Sequence, residues 1–134
     1  MIVVDSSVVV AAFASWHELH EPARATLERG PRLAAQAALE SYSVLTRLPP
    51  PHRAPADLVR DFLAFSFPDA YLALAPRRFA TFLTGLADKG IVGGAAYDAL
   101  IAEVARTADA TLVSCDRRAE ATYARLGVVA EYLG

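Results

Sequence analysis

Apolar residues fall along the chain in short blocks with two different periods. Ile2-Val3-Val4 and Ala110-Thr111-Leu112-Val113-Ser114 are compact runs bounded by polar or turn-forming residues, as buried strands are. Arg32-Leu33-Ala34-Ala35, residues 128–132 and a further candidate near 71–74 extend the set, and the first strand is taken over 2–5. Between these blocks the spacing turns helical. Val8 to Phe13 follows the cap signal Ser6-Ser7, Glu18 to Gly30 stops at Gly30-Pro31, and Gln36 to Arg47 runs into Pro49-Pro50-Pro51. Further helices are predicted over Asp57 to Phe67, from Pro76 through Lys89-Gly90, and through Tyr97 to Ala105. Strands alternating with helices predict an α/β fold, a three-layer α/β/α sandwich around a short, mostly parallel central sheet.

Four acids sit where such a sheet presents its side chains. Asp5 ends the first strand and Asp116 follows the strand that closes with Ser114, so both lie outside carboxyl ends of strands, where open α/β sheets bind ligands. Glu40 lies early in the third helical segment, just after Arg32 to Ala35, and Asp98 opens a later helix. A lone Asp at a strand-to-helix turn is ordinarily a cap. Four acids brought together are another matter, because each like-charge pair at about 4 Å repels by roughly 4 kcal/mol at an effective dielectric of 20. A divalent ion relieves that repulsion. All-oxygen donors suit Mg²⁺ or Mn²⁺, and the chemistry expected is metal-assisted phosphodiester hydrolysis. Ser6, Ser7 and Ser114 are read as caps and as hydroxyls supporting Asp5 and Asp116, since no histidine stands beside them to make a nucleophile.

The acids also change how the net charge is read. The 134 residues carry 13 basic and 15 acidic side chains, a net charge of −2, which by itself argues against a polyanionic partner. Setting the four candidate ligands aside leaves a surface of about +2, a field able to steer phosphate without gripping duplex along its length. All but Lys89 of the basic residues are arginine, and Arg117-Arg118 follows Asp116 directly, a placement suited to contacting substrate phosphate. A length of 134 residues with 54% apolar content fills one core, so residues 1–134 are taken as one domain. The lone Cys115 forms no internal disulfide, and no run approaches the ~20 apolar residues of a membrane helix, so a cytoplasmic protein is expected.

Four segments together resemble a known family. Met1 to Val8, Ala38-Leu39-Glu40 with its helix, Gly94 to Ala102 and Ala110 to Arg118 look like a PIN domain, and specifically a VapC-type toxin ribonuclease of a bacterial type II toxin–antitoxin pair. The resemblance runs over essentially the whole chain. It implies an endoribonuclease in which Asp5, Asp98 and Asp116 hold the metal, while Glu40 completes the shell or orients the attacking water. It also implies an antitoxin partner and a homodimer. Cys115 departs from the small or basic residue common at its position, and no role is drawn from it.

The helix over Asp57 to Phe67 carries apolar residues on more faces than one core contact uses, so Leu58, Phe62 and Phe65 are expected to meet the partner. His17 and His20, three apart, lack a third soft ligand and are read as surface or groove residues. Two other readings remain open. One is a degenerate module of the same fold that binds protein or RNA without catalysis. The other is an acid-rich phosphatase, which needs a lysine and a Ser/Thr phosphate motif that a chain with Lys89 as its only lysine does not display.

Overall fold

A computed structural model describes residues 1–134. The chain begins with strand β1 (Ile2–Val4), then helices α1 (Ser6–Phe13) and α2 (His20–Leu27), strand β2 (Arg32–Leu33) and helices α3 (Ala35–Arg47), α4 (Ala56–Ser66), α5 (Pro76–Gly85) and α6 (Ala95–Thr107). Strand β3 (Thr111–Ser114), a single 3-10 turn (Arg117–Ala119), helix α7 (Glu120–Leu126) and strand β4 (Ala130–Tyr132) complete it. The four strands order as β2-β1-β3-β4, and every pairing is parallel.

This order sets the helix layers. The chain steps from β1 outward to β2, then crosses back past β1 to β3 and on to β4. The helices between β2 and β3 divide: α3 and α4 pack with α1 and α2, whereas α6 rests on β3 and pairs with α7. The direction reverses between β1 and β3, and that reversal opens a crevice at their carboxyl ends. Val3, Val4, Leu112 and Val113 fill the sheet's centre with no exposed surface, packed by Val8, Val9, Ile101, Ala105 and Tyr123 from the helices.

Local chemistry trims several predicted elements. The first strand stops at Val4 because Asp5 turns into the N-cap of α1, its carboxylate accepting from the Ser7 and Val8 N–H groups. The helix expected from Glu18 begins only at His20: the His17 ring accepts the Leu19 N–H at 3.0 Å and holds residues 17–19 in a turn. That helix ends at Leu27, and Gly30 turns the chain toward β2 with φ of +69°. The helix from Pro76 closes at Gly85, followed by turns that end in the left-handed Gly90. The candidate strand at 71–74 survives as one bridge. Leu72 donates to the Leu33 carbonyl at 3.0 Å and accepts from the Ala35 N–H at 2.8 Å, just beyond β2.

Candidate active site at the switch point

Asp5 is the most deeply set of the four acids, 3% exposed. The parallel register pairs Val4 with Val113, and the Asp5 N–H donates to the Val113 carbonyl at 3.2 Å, which fixes its backbone beside Ser114 at the crevice. Its carboxylate is held from several sides. One oxygen accepts from the Ser7 hydroxyl and N–H (3.0 Å for the latter) and from the Val8 N–H at 3.3 Å, and the other accepts from the Tyr123 hydroxyl at 2.7 Å. Burial nevertheless raises its pKa, outweighing the hydroxyls of Ser114, Ser7 and Tyr123 and the Val8 N–H, all of which favour the charged form.

Tyr123 is the partner that sequence reasoning missed. It is almost wholly buried on α7 and, through desolvation and the Asp5 charge, its hydroxyl is pushed far above the usual tyrosine range, so it acts only as a donor. Nothing in Glu120-Ala121-Thr122-Tyr123 announces this contact, since helical spacing marks Tyr123 only as a core residue. Ser7 ties two loops together: while donating to Asp5 it accepts the Cys115 N–H at 2.8 Å, and Ser114 Oγ accepts the Asp116 N–H at 2.9 Å. Both sharp turns that carry acids are thus braced by serine hydroxyls. The Cys115 thiol between them is pushed up to about 11 by burial and by Asp5, so it stays protonated.

The other three acids arrive from separate elements. Glu40, in the second turn of α3, accepts from the Ser6 hydroxyl of α1. Asp116 caps the 3-10 turn, accepting from the Arg118 N–H at 2.9 Å and from its guanidinium at 3.1 Å. Asp98, in the first turn of α6, differs from both. No hydrogen bond favours its charge, and its carboxyl is pushed up to about 6, first by desolvation and then by the charges of Glu40, Asp5 and Asp116. The acids read from the sequence are therefore close enough to feel one another. They do not close into a cage: as placed, no three His, Cys, Asp or Glu side chains share one point at ligand distance. Each of the other acids is turned to its own donor, Asp5 to Tyr123, Glu40 to Ser6 and Asp116 to Arg118. The donor set fits a hard divalent cation in kind, and Asp98, unpartnered and facing three like charges, is the position a cation satisfies.

The remaining candidates divide. Arg118 is almost fully exposed at the rim of the acids, whereas Arg117 turns to Glu120 at 3.1 Å and lies over the Tyr132 ring at 4.8 Å. His20 is occupied by the Ala11 carbonyl at 2.9 Å. A hollow of about 400 Å³ adjoins the acids, bordered by Ser6, Ser7, His17, Asp116 and Arg118. A larger one of about 660 Å³ lies away from them, between α1, α2 and α4, where Phe13, Leu27, Phe62 and Phe65 face it. Leu58 and Phe65 are 52% and 88% exposed on α4, while Phe62 is half-buried with its ring edge-on to Phe13 at 5.3 Å.

Comparison with known proteins agrees with this architecture. The PIN domain family profile matches residues 2–125. Ribonuclease VapC40 of Mycobacterium tuberculosis is 49% identical over 131 residues, 98% of each chain, and Ribonuclease VapC27 of the same species is 40% identical over 129 residues, 95% of this chain and 93% of that one. Two solved structures share the fold at 18% identity. FitAcB from Neisseria gonorrhoeae superposes with a TM-score of 0.69 over 97% of this chain and 96% of its own. VapBC2 from Rickettsia felis, bound to a DNA fragment from its promoter, gives 0.68 over the whole of both chains. With its parallel sheet, its acids gathered at the β1/β3 reversal and these relatives along nearly its full length, the chain belongs to the PIN-domain family, in the VapC-type group.

Proposed function

We propose that this chain is a divalent-metal-dependent endoribonuclease toxin, restrained by a cognate antitoxin protein. The observation that carries the reading is Asp98, whose carboxyl is pushed up to about 6 by desolvation and then by the charges of Glu40, Asp5 and Asp116. The names of the relatives, ribonucleases at 49% and 40% identity, support RNA as the substrate. Asp5, Asp98 and Asp116 would hold Mg²⁺ or Mn²⁺, and such an ion polarises a phosphate and acidifies water. Glu40, steadied by Ser6, either completes that shell or takes the proton from the attacking water. Ser7, Tyr123 and Ser114 fix the two turns, so the acids do not have to be ordered at the moment of reaction. Arg118, free to swing from Asp116, meets the phosphate from the solvent side.

The antitoxin belongs, on this reading, in the groove between α1, α2 and α4, where exposed Phe65 and half-buried Phe62 supply an apolar anchor, with exposed Leu58 on the same helix. A homodimer has surface available on α5, which buries no residue and leaves Phe79 and Leu83 exposed.

Incubation of the chain with total RNA tests the activity. Cleavage that needs Mg²⁺ or Mn²⁺, stops in excess EDTA and leaves 5′-phosphate and 3′-hydroxyl ends is expected, because water is the nucleophile. A 2′,3′-cyclic phosphate, or full activity in EDTA, would falsify the mechanism. Cleavage should also be lost in Asp5→Asn and Asp98→Asn.

A further inference from the structure

The hollow beside the acids has an aromatic side. His17 lines it together with Ser6, Ser7, Asp116 and Arg118, and the ring of Trp16 lies 6.0 Å from that of His17. Trp16 also lies against His52, with ring centroids 4.2 Å apart and an interplanar angle of 35°. Three rings thus run from the rim of the carboxylate crevice to the Pro-rich loop. Trp16 is the only tryptophan in the chain and is 49% exposed. A residue of that size left half open to water adds little to the core.

We propose that Trp16 and His17 form a stacking subsite for an unpaired base of the RNA, one that lies next to the phosphate being cut; this rests on the ribonuclease reading. The platform is set in advance. The His17 N–H donates to the Ala14 carbonyl at 3.0 Å, its ring accepts the Leu19 N–H at 3.0 Å, and His20 is tied to the Ala11 carbonyl of α1, so the loop fixes His17 without a ligand, while Trp16 rests against His52. Single-stranded RNA is recognised through bases splayed onto aromatic side chains and guanidinium planes, and Arg118 offers such a plane at the same hollow. The alternating chemistry of a nucleotide matches the layout, with the acids and Arg118 toward the phosphate and the rings toward the base. Exposed Glu18, on the same hollow, can accept from a base amino group. A protein segment suits the apolar groove over α4 better than this hollow, which Glu18, Asp116 and Arg118 make polar.

The lone tryptophan makes the test direct. In Asp98→Asn, blocked in cleavage, a short single-stranded oligoribonucleotide of mixed sequence should change the Trp16 emission as it binds, with binding followed separately by anisotropy of a label on the RNA. A base-free ribose-phosphate chain of equal length should bind more weakly and leave the emission unchanged. In the otherwise native chain, Trp16→Ala should raise KM about tenfold, the loss expected for one base–aromatic stack, with kcat nearly kept, and Trp16→Phe should restore most of it. RNA that binds without altering the emission, or an equal response to the base-free chain, overturns the subsite while leaving the nuclease intact. An unchanged KM in Trp16→Ala does the same. A wild-type chain that cuts no RNA overturns the ribonuclease reading itself.

Discussion

Asp98 and Tyr123 show how a few atoms set the properties of the crevice. Asp98 titrates near 6 instead of 3.8, so the folded chain holds this proton more tightly than the unfolded chain does. Without metal, the resulting penalty is absent below about pH 4, grows through the interval and is fully present above about pH 6. Asp98→Asn should therefore unfold at a higher temperature than the parent in EDTA near pH 8, by about 1–2 kcal/mol after allowance for partial solvation, and the gain should vanish near pH 4. Thermal melts across that range check both ends. Tyr123→Phe should act in the opposite direction. It leaves a buried oxygen of Asp5 without its donor, which costs about 1–3 kcal/mol in urea unfolding, and it loosens a residue proposed to hold metal. Asp5 and Asp116 were legible because each ends an apolar block where strand becomes helix, and Asp98 because it opens a helix, whereas Glu40 stood early in α3 in the least distinctive setting. Tyr123 was not legible, since its contact with Asp5 spans 118 residues and no periodicity encodes a partner that distant.

Among the elements, α4 is where pattern and packing can be separated. Its apolar residues occupy several faces, and the structure sorts them: Val59 and Leu63 are core, Phe62 is shared with Phe13, and Leu58 and Phe65 are open. Phe65→Ser should leave the unfolding free energy of the isolated chain within about 0.5 kcal/mol of the parent, as substitutions at exposed positions do. The same change should weaken antitoxin binding by about 2 kcal/mol or more, measured by calorimetry against the co-purified partner. Phe62→Ser should lower both, because it also removes the edge-to-face contact with Phe13. Helix existence was legible from Val8 to Ala105, as the Pro and Gly stops are strong. The beginning of α2 was not, because Glu18 and Leu19 fit a helical pattern while the His17 ring captures the N–H that would have started it.

For the whole molecule, the β1/β3 reversal collects like charges in one place and the fold tolerates them only at a loss of stability. Divalent cation should therefore stabilise the fold by mass action, by about 2.7 kcal/mol at a hundredfold excess over Kd, and so raise its melting temperature, and monovalent salt at equal ionic strength should not reproduce the gain. Scanning calorimetry with Mg²⁺, Mn²⁺ and NaCl distinguishes ligation from screening. The layered α/β class was readable because apolar blocks of strand length alternate with helical ones. The strand order was not, because β2 is two residues long and pairs with β1 through backbone groups that any residue supplies.

The distance along the chain between Asp5 and its supports has a consequence for synthesis. Asp5 emerges from the ribosome early, yet Val113 and Tyr123, which seat its backbone and its carboxylate, are translated over a hundred residues later. At about 5–20 residues per second the Tyr123 codon is read roughly 6 to 24 s after that of Asp5. The groove over α4 is lined by residues 12–66, all of them translated before Asp98 and Asp116 are added. A nascent chain therefore holds every residue of the surface proposed for its inhibitor before its last two acids are added, and the inhibitor's site is complete in sequence before the crevice is.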